Sequence, residues 1–141
     1  MKIGLDIGGV ISKYPQEFRD FLNNLNAEFY VISDMHPKSE ILKVLQDNDF
    51  LDKVKEENIY SADYEKYGNF AKAILIKELG IQMFIDDFDG YLQWDSSFGP
   101  QPILLKVQPD GFKSYWHDDW KCDGGEFGRR KYLLSGTPLV A

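Results

Sequence analysis

Along this chain, blocks of apolar residues with the spacing of buried strands alternate with blocks that have the spacing of half-buried helices. Residues 2–7 (KIGLDI) form a short, nearly continuous apolar run, as expected for a strand covered on both faces. Tyr14 and Pro15 break it off, and over residues 16–25 the apolar side chains fall at Phe18, Phe21, Leu22 and Leu25. That spacing predicts a helix, with Pro15 placed for the first turn, where a missing N–H costs nothing. Residues 28–33 (EFYVIS) predict a second strand, and residues 37–49 a second helix with Ile41, Leu42, Val44 and Leu45 on its buried side. A weak third strand is expected over residues 58–62, and a helix over 69–79 that Gly80 closes as a C-cap. Residues 81–85 (IQMFI) predict a fourth strand that delivers Asp86 and Asp87, and residues 103–107 (ILLKV) a further one.

This alternation predicts an α/β fold: a three-layer α/β/α, Rossmann-like domain around a central, mainly parallel sheet. One domain is expected over residues 1–141, with its core over about 1–107 and an irregular extension over about 108–141. Within the extension, residues 115–131 mix aromatics, acids and glycines without a period.

Composition narrows the classes. The 141 residues are 43% hydrophobic and 15% aromatic, which suits a packed core. A formal net charge of −7 disfavours nucleic acid and anionic membrane surfaces as partners. The single cysteine, Cys122, excludes an internal disulfide and a cysteine zinc cluster. Asp6 and the glycines interrupt the opening apolar run, unlike a secretory signal, and no apolar stretch has the length of a membrane span. A soluble, cytoplasmic protein is expected. His36 and His117 make no zinc spacing and are taken as structural or surface residues.

The candidate chemistry starts at Leu5-Asp6-Ile7-Gly8-Gly9-Val10. A strand that ends in an aspartate and turns at once through two glycines brings a carboxylate and backbone amides to the rim of an anion site. The plainer alternatives are an acid that caps a turn at Asp6 and a solvated turn at Asp86-Asp87. In open α/β sheets, ligands collect outside the carboxyl ends of the strands, near a topological switch point. Asp6, Ser33, Asp86 and Asp87 would all arrive there, and Lys72 would reach in from a helix. Lys66 and Lys77 compete for that role; Lys72 is preferred for its spacing to Asp86 and its place early in the helix.

Two families open in this way. The first phosphate motif of sugar kinases and actin-like ATPases resembles residues 3–9, but the group's threonine is Val10 here, and those folds close two domains over a nucleotide. A fuller resemblance is to the haloacid dehalogenase-like superfamily of phosphotransferases, over roughly residues 1–92. Leu5-Asp6-Ile7-Gly8-Gly9-Val10 resembles its first motif in the Asp-x-Gly variant. Val31-Ile32-Ser33 resembles the second, Lys72 the third, and Phe84-Ile85-Asp86-Asp87 the fourth. A response-regulator receiver uses similar residues, yet its acid pair belongs to the first strand, whereas here the pair closes the fourth.

The resemblance implies a phosphatase that hydrolyses a phosphomonoester through an aspartyl-phosphate on Asp6, with Mg²⁺ as cofactor. Asp6, the Gly8 backbone carbonyl and a carboxylate from Asp86-Asp87 would hold the metal. Ser33 would hydrogen-bond the phosphoryl oxygens, Lys72 would pair with phosphate and nucleophile, and the Gly9 amide would assist. Most hydrolytic members carry a general acid two residues after the nucleophile, where this chain has Gly8. Such a group contributes on the order of 10²–10⁴ in rate. Asp34, Asp87 and Asp89 are candidate substitutes, and a catalytically weak phosphate- or metal-binding relative is the alternative reading.

Neither the interval after Asp6 nor that between Ser33 and Lys72 has room for a cap domain, so a capless, open site is expected. In this family that goes with large substrates or with shielding by another subunit, which keeps a homo-oligomer in view beside a phosphorylated small molecule. In the extension, Trp116 and Trp120 would cover a hydrophobic edge, and Arg129 and Arg130 would pair with acids or hold a second phosphate.

Overall fold

A computed structural model describes residues 1–107. Five strands, β1 (Lys2–Leu5), β2 (Glu28–Ser33), β3 (Ile59–Ser61), β4 (Met83–Asp86) and β5 (Ile103–Lys106), form one sheet in the order β3-β2-β1-β4-β5. Every pairing in it is parallel. Helices α1 (Pro15–Asn24), α2 (Lys38–Asp47), α3 (Tyr64–Tyr67) and α4 (Ala71–Leu79) connect the strands.

The apolar spacing explains the layers. Leu22 of α1 and Ile41 and Leu45 of α2 pack with Ile3, Leu5, Val31 and Ile85 on one face of the sheet. Ala71 and Ile76 of α4 pack with Tyr30, Ile32 and Phe84 on the other. Burying a side chain of this size contributes roughly 1.5–3 kcal/mol, so both faces of the sheet must be covered for it to persist. The fold is the expected three-layer α/β/α arrangement.

From β1 the chain first moves outward to β2 and β3, then returns through α4 to lay β4 against the other side of β1. The direction reverses between β1 and β4. Their carboxyl ends therefore flank the crevice in which such sheets bind ligands.

Element boundaries shift where backbone hydrogen bonds outvote side-chain pattern. Asp6 still donates its N–H to the Ile85 carbonyl at 3.0 Å, but Ile7 already begins a wide turn, so β1 ends before the apolar run does. The helix predicted over 69–79 opens as a 3₁₀ turn, Gly68–Phe70, that leads into α4. Gly80 closes α4 in the left-handed conformation (φ 69°, ψ 32°) and donates to the Ile76 and Lys77 carbonyls. α3 has no counterpart among the predicted elements, because a single turn is too short to display a period. The interval from Asp6 to Pro15 holds one turn, and that from Ser33 to Lys72 holds α2, β3 and α3, so neither accommodates a cap domain.

No helix among the described residues is long and apolar enough to cross a membrane. Trp116, His117, Trp120, Cys122, Arg129 and Arg130 lie outside the described residues.

Candidate functional site

At the carboxyl ends of β1 and β4, acidic side chains leave the sheet beside a lysine from the helix that precedes β4. Asp6, Asp86, Asp87 and Lys72 are 6%, 0%, 9% and 0% exposed. The Lys72 Nζ donates to Asp6 Oδ1 at 2.8 Å and to Asp86 Oδ2 at 2.7 Å. Asp86 Oδ1 accepts the Phe88 N–H at 3.0 Å, which fixes that carboxylate on both sides. One carboxylate oxygen from each of Asp6, Asp86 and Asp87 lies within 4.8 Å of the others.

Three acids crowd around one cation that pairs with two of them, and their proton affinities register the imbalance. Burial, with the Asp86 charge added, raises Asp6 to about 7 against the pull of Lys72. Burial raises Asp86 to about 6, again against Lys72. Asp87 is raised to about 6 by burial and by the charge of Asp6. Burial alone would lower Lys72, but Asp6 and Asp86 together raise it above the ordinary lysine range, so it stays charged. A set of hard, oxygen-only donors with surplus negative charge suits a small dication, so the cluster could hold a metal ion.

The turn after β1 is built around Gly8, Gly9 and Ser12. Ser12 donates its N–H to the Ile7 carbonyl at 2.9 Å and its hydroxyl to the same oxygen at 3.1 Å. The Gly9 N–H, expected to serve an anion, donates to Ser12 Oγ at 3.3 Å, near the outer limit of a hydrogen bond. Gly9 is in the left-handed region (φ 73°). A side chain there would collide with the Asp87 carboxylate. Gly8 differs: its backbone is ordinary (φ −64°, ψ 127°), and a Cβ on it would meet nothing within 4 Å.

Of the residues singled out from sequence, the structure brings Asp6, Lys72, Asp86 and Asp87 together. Ser33 ends the neighbouring strand, 1% exposed, and its Oγ accepts the Met35 N–H at 3.1 Å, which leaves its own O–H available to donate. The rival lysines point elsewhere, with Lys66 over the Tyr67 ring at 5.0 Å and Lys77 over the Phe98 ring at 5.5 Å. Of the three proposed substitutes for the missing acid, Asp34 accepts the Tyr91 hydroxyl at 2.7 Å, Asp89 pairs with Lys106 at 2.9 Å, and Asp87 lies in the cluster beside Asp6. Arg129 and Arg130 lie outside the described residues.

Tyr91 and Asn69 belong to this neighbourhood without any mark in the sequence pattern. The Tyr91 ring lies 4.3 Å from Lys72 Nζ, and the only signal for it is an aromatic shortly after the acid pair. Asn69, 1% exposed and one turn before Lys72, has a carboxamide with no hydrogen-bond partner among the described residues. The acid–lysine cluster is compact. The open depression lined by Lys2, Glu28, Lys53 and Lys55 contains none of these residues.

Comparisons with family models, with curated proteins and with solved structures found no match.

Proposed function

We propose that this chain is a Mg²⁺-dependent phosphomonoester hydrolase of the haloacid dehalogenase-like kind, with Asp6 as the nucleophile. One observation carries the reading. Asp6, Asp86 and Asp87 come together from the two strand ends that flank the switch point, and one fully buried lysine pairs with only two of them, Asp6 and Asp86. A structural ion pair needs one acid per cation; a surplus of buried carboxylate is costly unless a further cation offsets it.

In this scheme Asp6 attacks phosphorus through the carboxylate oxygen that Lys72 does not hold. The bond from phosphorus to the leaving oxygen breaks as the Asp6–phosphorus bond forms. The leaving oxygen takes a proton from water, because Gly8 brings no acid. A second water then attacks phosphorus and gives a proton to the hydroxide left by the first, the bond between Asp6 and phosphorus breaks, and Asp6 returns as a carboxylate while inorganic phosphate departs. Lys72 and the Ser33 O–H hold phosphoryl oxygens. Mg²⁺, held by Asp6, the Gly8 carbonyl and the Asp86-Asp87 pair, would supply the charge neutralisation that lets a carboxylate approach a phosphate. The partner implied is a phosphorylated small molecule.

A second reading, a phosphate- or metal-binding protein with little turnover, draws on Gly8 and on the engagement of Asp34 and Asp89 with Tyr91 and Lys106. Steady-state hydrolysis of an aryl phosphate, with Mg²⁺ and with a chelator, separates the two. The hydrolase reading expects Mg²⁺-dependent turnover that Asp6→Asn abolishes. Turnover that survives Asp6→Asn removes Asp6 from the role. Phosphate binding without turnover favours the second reading.

A further inference from the structure

Resting on the phosphate role proposed for Lys72, we infer that Asp34 and Tyr91 form a strap whose task is to position the Lys72 ammonium. Tyr91 ends the 3₁₀ turn Asp89–Tyr91 after β4, and Asp34 directly follows β2. β1 lies between these strands, so the hydrogen bond from the Tyr91 hydroxyl to Asp34 Oδ2 (2.7 Å) ties together the two strand ends that flank Asp6.

The ring held by this bond is the wall against which the ammonium rests. Lys72 Nζ lies 4.3 Å from the Tyr91 ring centroid and 5.6 Å from that of Phe84. Phe88 and Tyr64 meet Tyr91 edge-on at 5.2 and 6.2 Å, so its hydroxyl is pinned while its edges are packed. An ammonium carries three N–H donors. Two go to Asp6 and Asp86, and an aromatic ring attracts the remaining charge without competing for the carboxylates. A lysine stem is flexible and its head is strongly hydrated, so without this wall the ammonium would turn toward entering water. With the wall, it stays on the Asp6 side, where an oxygen on phosphorus bound at Asp6 would meet it. Tyr91 is a positioning residue here: it touches the lysine, and Asp34 acts through Tyr91.

The test uses the full chain labelled with ¹⁵N-lysine. A shielded ammonium exchanges its protons with water slowly and gives its own signal, identified by its loss in Lys72→Arg. Wild type should give this signal, and Tyr91→Phe, which keeps the ring but loses the hydroxyl that bonds Asp34, should exchange faster than wild type and more slowly than Tyr91→Leu. Tyr91→Leu should exchange about tenfold faster or lose the signal, and Asp34→Ala, which removes the acceptor, should match Tyr91→Phe. A folded Tyr91→Leu with wild-type exchange, a Tyr91→Phe and an Asp34→Ala that both keep wild-type exchange, or no protected ammonium in wild type, overturns the strap. Inorganic phosphate binding in Mg²⁺, measured in Tyr91→Leu, Lys72→Met and the double variant, supplies the second arm. Non-additive losses support action through the lysine, and additive losses refute it. If Lys72→Met leaves phosphate binding intact while the ammonium signal still depends on Tyr91, the phosphate role fails and the strap stands. If Lys72→Met abolishes binding while the signal ignores Tyr91, the strap fails alone.

Discussion

The Asp87 carboxylate occupies the space that a side chain on residue 9 would fill, and Gly9 sits against it with φ at 73°. The turn after β1 and the turn after β4 are thereby fitted to each other where the two strand ends diverge. This fit keeps Asp87 beside Asp6, whose charge helps to raise it to about 6. The glycine at 9 is therefore part of the electrostatics of the site.

Gly9→Ala should be destabilising on two counts. A left-handed non-glycine backbone costs about 1–3 kcal/mol, and the new methyl group must displace the carboxylate. Urea unfolding measures the sum. Adding Asp87→Gly should recover the steric part and leave the backbone part. A Gly9→Ala protein as stable as wild type would mean that the turn is not built as described.

Gly8→Asp should behave in the opposite way. Its backbone needs no glycine, and the added side chain enters open space. Stability should stay within about 0.5 kcal/mol of wild type or rise slightly, since glycine also costs unfolded-state entropy. If the missing general acid limits turnover, hydrolysis of an alkyl phosphate should rise by on the order of 10²-fold and that of an aryl phosphate by less. The ratio of kcat/KM for the two esters is the measurement; no change in a folded variant argues against the acid as the limiting factor.

The raised carboxylates fix the sign of the pH dependence. The folded chain holds protons at Asp86 and Asp87 up to about 6 and at Asp6 up to about 7, whereas the free aspartate value is 3.8. Between those limits the folded state binds more protons than the unfolded state, so stability is greatest at the acidic end and falls as pH rises through 6 and 7. In a chelator, Tm at pH 8 should lie on the order of 5–10 °C below that at pH 5. Asp6→Asn should flatten the slope. Mg²⁺ bound as proposed would take the ionised form, so its effect should grow with pH and reach about 2.7 kcal/mol at a hundredfold excess over Kd. A Tm at pH 8 that ignores Mg²⁺ removes the metal site.

Much of this was legible in the sequence because it depends on chain order. Asp6, Ser33 and Asp86 each end an apolar run, and parallel strands carry such ends to one side of the sheet. Lys72 needed helical phase as well, and its place early in the helix, 14 residues before Asp86, supplied it. What stayed hidden depends on how turns fold back. Tyr91 reaches Asp34, 57 residues away, across a strand that contributes nothing to either. Ser12 takes the Gly9 N–H through a turn whose geometry no period encodes. The fit of Gly9 to Asp87 likewise belongs to tertiary packing, although the paired glycines hinted that something must come close.

Lys72→Met tests the balance of charge directly. The substitution keeps the apolar stem and removes the cation that two buried carboxylates share. Breaking a buried pair from one side costs about 3–5 kcal/mol, because the remaining charge has lost its partner. At pH 8 in a chelator the variant should be barely folded. Lowering the pH to 5 should restore much of the loss, since the acids then take up protons instead of remaining charged. Asp86→Asn on the same background should do so at pH 8 by removing a charge outright. Mg²⁺ should stabilise Lys72→Met at least as much as wild type, because only the cation then remains to offset Asp6, Asp86 and Asp87. Chemical denaturation at both pH values, with and without Mg²⁺, reads all of these outcomes. A variant as stable as wild type at pH 8 without Mg²⁺ would mean that these carboxylates are not ionised together, and the case for a metal among them would lose its physical basis.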